Sequence, residues 1–307
     1  MSQVKSVLCV GCTVIDFVTI NGSFPKEDTD RRCLDGFWQR GGNASNVSTV
    51  LRVLGCKVDF FGMLSRSDAF RVLLDDLRKR EIGTTDCPFT DRDPPFSSVI
   101  LAQDSGTRTI IHCNKDYPQT TYEDFSKINL SQYGWVHFEA RNTPHTLKMM
   151  QSIRDYTQRT GHAIIISLDF ETRYEQNHEL CAPCDFVVFS KELAGQLGWK
   201  TPRESCVELA SKIRGNGPKP VFICPWGSSG AGALDANGNY YEMSSYKQDM
   251  VVDTLGAGDS FMAGFIYATL EGQRSLAESV DFANRVASHK ITGFGYEHIS
   301  QLSLSKV

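Results

Sequence analysis

The chain has 307 residues, 41% of them hydrophobic and 22% charged, with a formal net charge of -4. Length and composition suit a globular protein with a large buried core, and the absence of any block of like charges excludes a polycationic nucleic-acid binder. No apolar run reaches the length of a membrane span, and the N-terminal stretch MSQVKSVLCVGCTVIDF is broken by Gly11 and closed by Asp16, so it does not read as an export signal and the expected location is cytoplasmic.

In chain order, Ser6–Val10 reads as a first strand. Thr13–Ile20 and Arg31–Gln39 read as an extended ribbon around a loop containing Pro25. Asn43–Leu54 is a helix with Val47, Val50, Leu51 and Leu54 on one face and Gly55 as its C-terminal cap. Val58–Leu64 is strand-like, and Ala69–Arg80 is an amphipathic helix. Phe96–Gln103 and Thr107–Cys113 flank Asp104-Ser105-Gly106, a hairpin turn. Strand Trp135–Phe138, a helix near His145–Gln158, and strands Ala163–Leu168 and Phe186–Phe189 come next. The chain ends with a helix after Pro202, strand Val221–Cys224, and two long helices, Ala257–Leu270 and Leu276–Ile291. This alternation predicts an α/β fold with a doubly wound, mostly parallel sheet flanked by helices. The two ribbons, approximately 13–39 and 96–114, form a small inserted β-sheet, either a lid over a ligand or an oligomer surface. No linker or repeat divides the chain, so residues 1–307 read as one domain.

Ten cysteines suit a reducing compartment, where Cys packs as a small hydrophobe. Cys9/Cys12 and Cys181/Cys184 have C-x-x-C spacing, but the pairs lie far apart in sequence and Cys9 sits in a strand-like run. A zinc or redox site competes here with incidental thiols.

Two glycine-rich stretches carry chemistry. Residues 251–265 read VVDTLGAGDSFMAGF: a Gly-Ala-Gly turn, then Asp259 in the first turn of a helix. Asp there can complement the helix dipole. It can also serve an anion site, where glycines let backbone N–H groups approach a phosphate and the carboxylate takes a proton from an attacking hydroxyl. No Gly-Lys pair exists for a Walker A loop, and Phe261 stands where a dinucleotide fingerprint needs its third glycine. Residues 41–49, GGNASNVST, place Asn43 and Asn46 one helical turn apart, where their amides can meet the hydroxyls of a neutral polyol; a plain glycine turn with an Asn cap is the competing reading.

Together, GGNASN and DTLGAGDSF resemble the two signature regions of the ribokinase (PfkB) family of sugar and nucleoside kinases, and the resemblance runs along nearly the whole chain. Within the family it falls on the ketose-phosphorylating branch, through LCVG with Asp16 soon after, FPKEDTDRRCL, WQRGGNASN, GTRTII, WVHFEARN, VVFSKELAGQLG and VVDTLGAGDSF. The resemblance implies a ribokinase-like fold. It makes Asp259 the catalytic base and the backbone of Gly256, Ala257 and Gly258 the hole for the transferring phosphoryl group. It assigns Asp16, Gly42, Asn43 and Asn46 to the sugar, and Asp28 to the sugar of a neighbouring subunit in a homodimer joined through the lid ribbons. Arg108 would touch the nucleotide phosphates, and Trp226, Gly227, Ser228, Ser229 and Gly230 would line the ATP site. ATP with Mg²⁺ is the implied cofactor, with K⁺ as activator in a cation loop near Asp253. D-Fructose phosphorylated at its 1-hydroxyl is the expected reaction, ribokinase or fructose 6-kinase chemistry the second choice, and a non-catalytic sugar or nucleotide sensor the third.

The residues themselves leave alternatives. Asp16 stands in an apolar ribbon as either a ligand or a solvent-facing strand residue. Arg108 could simply pair across its hairpin. Asp253 would repel a phosphoryl group unless a cation lay between them. Arg40 and Arg141 lie within reach of the motifs should the substrate carry a phosphate, and Phe17 or Phe24 could stack on a nucleoside. Two departures from the family pattern stand out. Ser190-Lys191-Glu192-Leu193 lacks the usual Asn-x-x-Glu, and the loop after Trp226 lacks an acidic pair.

Overall fold

The computed structural model describes residues 6–114, 116–213, 219–272 and 274–302; the first five residues of the N-terminal stretch lie outside them. In chain order the strands and helices are β1 (Ser6–Val10), β2 (Val14–Asn21), β3 (Asp35–Gly41), α1 (Asn43–Val53), β4 (Val58–Phe61), β5 (Leu64–Ser65), α2 (Arg71–Lys79), β6 (Phe89–Thr90), β7 (Phe96–Ala102), β8 (Thr107–Cys113), α3 (Tyr122–Phe125), β9 (Tyr133–Glu139), α4 (Thr143–Thr160), β10 (Ile165–Phe170), α5 (Tyr174–Asn177), β11 (Phe186–Phe189), α6 (Lys191–Gln196), α7 (Pro202–Lys212), β12 (Val221–Pro225), β13 (Ala231–Leu234), β14 (Tyr240–Met243), α8 (Ala257–Gly272) and α9 (Leu276–Lys290).

Eight strands form the main sheet in the order β14-β13-β12-β11-β10-β9-β1-β4. From β4 to β12 neighbours run parallel; β13 and β14 add an antiparallel edge. The central strands are apolar on both faces because helices cover both. β1 sends Val7 and Cys9 into a core shared with Val47 and Leu51 of α1, Phe265 of α8 and Phe282 of α9. It sends Leu8 and Val10 to the opposite face, against Met150 and Ile153 of α4, Leu193 of α6 and Leu209 of α7. In a parallel sheet all the loops at one end come after strand C-termini, and a ligand crevice opens where the strand order reverses, here beside β1.

The two ribbons join into one four-stranded sheet, β3-β2-β7-β8, through parallel pairing of β2 with β7. Asp16 lies opposite Gln39 on one side and Ser97 on the other. Strand β3 begins at Asp35, four residues later than expected from Arg31, and ends at Gly41. The expected strand Val58–Leu64 is interrupted: β4 stops at Phe61, and at Gly62 a Cβ would meet the Gly11 carbonyl at 2.4 Å. The expected helix Ala69–Arg80 begins as a 3₁₀ turn, Asp68–Phe70, before α2. Six short elements, β6, α3, α5, α6, β13 and β14, had no expectation; each spans two to six residues, too few for a periodic signal.

Candidate active site

The loops after β1, β9, β10, β11 and β12, the start of α1, the start of α8 and one face of the four-stranded sheet enclose a cleft of about 1680 Å³. Into it face Asp16, Gly42, Asn43, Asn46, Arg108, Gly227, Ser228, Gly230, Gly256, Ala257, Gly258 and Asp259, residues up to 243 positions apart.

Gly42 starts α1 with φ +94°, and a Cβ on it would meet the Cys12 carbonyl at 2.4 Å, so glycine alone fits this close approach. The carboxylate of Asp16 packs where a Gly41 Cβ would be, 2.0 Å from that position. Asp16 is therefore a buried group facing the cleft, 6% exposed; burial raises its pKa while bonds from Ser97 and Gln39 oppose the rise. Asn43 Nδ2 donates to Asp169 Oδ2 at 2.8 Å, and Asn46 Nδ2 donates to Asp259 Oδ2 at 2.7 Å. Among the described residues Asn46 Oδ1 is buried with no partner, an acceptor left over for a ligand or water.

Asp259 opens α8 and is 9% exposed. Its pKa rises to about 8, first through burial and then through the neighbouring charges of Glu171, Glu139 and Asp16, with the Asn46 amide pulling the other way. A carboxyl poised this high is a far stronger base than a surface aspartate. Before it, Gly256 takes φ +76°, and the Tyr296 hydroxyl fills the space its Cβ would need, 2.1 Å from that position. Ala257 N–H makes a long 3.3 Å bond to the Thr254 carbonyl. Among the described residues no side-chain oxygen accepts from the N–H groups of Gly256, Ala257 or Gly258, which is the state an anion site needs. Arg108 Nη1 donates to Thr254 Oγ1 at 3.0 Å, so this arginine grips the turn across the cleft rather than pairing within its hairpin.

Three site residues carry no signal in either glycine-rich stretch. Asp169 and Glu171, at the end of β10, are buried in the cleft; burial and then their mutual repulsion push Asp169 up, and burial pushes Glu171 up. Glu139, at the end of β9, accepts from the N–H groups of Ala44 at 2.6 Å and Cys12 at 3.3 Å, and its Oε2 lies 2.5 Å from Arg141 Nε. Acidic residues closing apolar strands, as in FE at 138–139 and LDFE at 168–171, are the signal that could have marked them.

Other expected residues lie elsewhere. Trp226 and Ser229 do not line the cleft; the Trp226 ring carries the Lys191 ammonium 5.1 Å from its centroid. Asp28 is exposed on the β2–β3 loop, outside the cleft of its own chain. Arg40 is consumed by Asp76 Oδ2 at 2.7 Å, the Ser45 carbonyl at 2.8 Å and the hydroxyls of Ser45 and Thr49, so it is unavailable to a substrate phosphate. Phe17 packs edge-on against Trp38 and Phe96 and Phe24 is exposed; neither lines the cleft. Cys9 and the Cys181/Cys184 pair sit in cores on opposite faces of the sheet, which separates the two C-x-x-C motifs, and burial pushes all three thiols up. Asp253 departs most from expectation. Its Oδ2 lies 2.5 Å from Lys290 Nζ, its carbonyl accepts from the same nitrogen at 3.0 Å, and its Oδ1 accepts from Leu255 N–H at 2.9 Å. The oxygens that would coordinate a monovalent cation are thus already taken by an ammonium, and K⁺ does not fit on Asp253.

Residues 4–301 match the family described as pfkB family carbohydrate kinase, and the chain belongs to that family of ATP-dependent sugar kinases. The chain is 34% identical to ketohexokinase of Mus musculus over 298 residues, 96% of this chain and 99% of that one. It is 26% identical to fructosamine kinase FrlD of Bacillus subtilis, over 84% of this chain and 87% of that one. The fold also matches Arabidopsis thaliana ribokinase solved with ribose and ATP, with TM-score 0.77 and 20% identity over 97% of this chain and 96% of that one. Ribokinase from Giardia lamblia superimposes with TM-score 0.81 at 15% identity, over 97% and 96%. Among the described residues no helix is long and apolar enough to cross a membrane.

Proposed function

We propose that the chain transfers the γ-phosphoryl group of ATP to the 1-hydroxyl of D-fructose. The observation that carries this reading is Asp259, a buried carboxyl with its pKa raised to about 8, hydrogen-bonded to Asn46 and set directly after an open glycine turn. The chain's likeness to mouse ketohexokinase supports the choice of ketose.

In this mechanism Asp16, Asn43 and Asn46 bind the sugar hydroxyls. Of the two arginines that could meet a second phosphate, Arg40 is held by Asp76 and Ser45, and Arg141, which lines the cleft, is paired with Glu139; a neutral polyol suits that arrangement. Asp259 accepts the proton of the 1-hydroxyl as the new O–P bond forms. The bond from the γ-phosphorus to the β–γ bridging oxygen breaks, and ADP leaves with that oxygen. The N–H groups of Gly256–Gly258 meet the charge on the phosphoryl oxygens without reorganising, and Arg108 holds the turn in place. The glycine loop Gly227–Gly230 lines the nucleotide side. Asp169 and Glu171, neighbouring carboxyls buried in the cleft whose charges repel each other, would be the groups to hold an ATP-bound magnesium. Such an ion would neutralise phosphate charge.

A second copy of the chain is part of this reading. The outer face of the four-stranded sheet aligns Trp38, Phe17, Ser98 and Ile111 in one row, and Trp38 is 69% exposed. An apolar sheet face of this kind suits a partner's, and Asp28, lying outside its own cleft, is free to reach the neighbour's sugar.

The test is ADP release with MgATP and a panel of D-fructose, D-ribose and D-glucose, with the phosphorylated carbon identified by NMR. Fastest turnover of fructose to the 1-phosphate is the expected result. A 6-phosphate product, or nucleotide binding with no turnover of any sugar, overturns it.

A further inference from the structure

Lys290 ends α9, and its side chain is wholly buried, 0% exposed. An ammonium so placed is held only where several oxygens replace its water. Here the oxygens belong to one residue of the phosphate-binding turn: Asp253 Oδ2 at 2.5 Å and the Asp253 carbonyl at 3.0 Å. The other charged groups facing Lys290 are Arg108 and Asp259, and the Tyr296 ring centroid lies 5.7 Å from Nζ.

The same end of α9 makes the rest of the clamp. The Ile291 carbonyl accepts from Val252 N–H at 2.8 Å and from Asp253 N–H at 3.3 Å. Tyr296 then fills the space beside Gly256. Residues 252–256 are therefore fixed from one side by α9 and from the other by Arg108. A side-chain carboxylate and a main-chain carbonyl converging on one cationic centre are oxygen donors of the kind a monovalent cation takes, yet the centre is covalently part of the chain.

We propose that Lys290 is a positioning residue whose ammonium stands in the place of a monovalent cation and holds the turn 253–258 in its anion-binding form. Arg108 and Lys290 then give this turn two fixed positive charges, one at its outer rim and one beneath it. The inference rests on the proposed phosphoryl transfer for its kinetic readout, and has a binding readout of its own.

The experiment compares wild type, Lys290→Met and the neutral pair Asp253→Asn/Lys290→Met. Lys290→Met should lower kcat about 100-fold, the scale of one lost preorganised electrostatic contact, while KM for fructose moves less than about threefold. Ammonium or potassium chloride at about 0.1 M should raise the variant's rate by a larger factor than the wild type's, because the vacated oxygens can then take a free cation. The neutral pair should fold and stay slow. Full recovery of rate in the neutral pair would make Lys290 a charge balancer only and overturn the proposal, as would a Lys290→Met variant within about threefold of wild type. Calorimetric titration of MgATP on the same proteins separates this from the function reading. Lys290→Met should bind about tenfold more weakly and recover with ammonium even if no sugar is turned over; unchanged affinity overturns the proposal.

Discussion

Two glycine turns in this chain each launch a helix into the same cleft, and they are finished differently. At the start of α1, the buried carboxylate of Glu139 accepts from Ala44 N–H at 2.6 Å, so the protein has filled the positive end of that helix with its own anion. At the start of α8, among the described residues, no side-chain oxygen accepts from the N–H groups of residues 256–258, and the positive charges placed around the turn are Arg108 and Lys290. Both turns use a glycine at positive φ, +94° at Gly42 and +76° at Gly256. Electrostatics thereby divides the labour between them. The plugged helix presents Asn43 and Asn46, amides suited to neutral hydroxyls, and the open helix presents bare donors suited to a phosphoryl group, with Asp259 between the two through its bond from Asn46.

This contrast is tested most sharply at Asp259. Asp259→Asn should lower kcat by about 10³-fold with little change in ATP affinity, as removal of a general base does. The same variant probes the raised pKa. Buried Asp259 binds its proton up to about pH 8 whereas the unfolded chain releases it near pH 4, so the folded state loses stability as pH rises between those values and the loss is complete above them. Asn at this position removes that loss. The Tm gained by Asp259→Asn should therefore be larger at pH 8 than at pH 5, and equal gains would contradict the assignment. By the same logic, kcat/KM of the wild type should rise with pH toward about 8 as the base ionises.

Glu139→Gln tests the plugged turn. Losing the carboxylate at α1 and beside Arg141 should raise KM for fructose about tenfold and lower Tm, while KM for ATP stays within about twofold, because the open turn is untouched. Arg108→Ala tests the open turn with the opposite pattern: KM for ATP up about tenfold, KM for fructose nearly constant. The smallest effect is expected at Asp28→Asn, a rise in KM for fructose of about threefold. On the proposed dimer it should disappear in Trp38→Glu, which is expected to sediment as a monomer where the wild type sediments as a dimer.

Much of the fold was legible in residues alone. The strands that became β1, β9, β10, β11 and β12 are runs of apolar residues, and the long helices α1, α4, α8 and α9 carry periodic apolar faces or end at glycine or charged caps. Gly42 and Gly256 were legible as turns because only glycine takes their backbone angles without strain. The short edge strands β13 and β14 were not, since four residues carry no period and their pairing depends on β12 being in place.

The site divides the same way. Residue order alone dictates the two glycine turns, the amides at 43 and 46, and the carboxylate at 259, because local backbone geometry and one helical turn of spacing are enough to place them. Their surroundings come from packing between distant parts of the chain. Glu139 and Asp169 reach α1 from strands 95 and 126 residues away. Asp253 takes an ammonium from α9 instead of a free cation, and Arg108 crosses from the four-stranded sheet to Thr254. Trp226, expected at the nucleotide, turns away beneath Lys191. Spacing along a helix is a local property, but the charge a buried carboxylate meets depends on which distant strand or helix end is packed beside it.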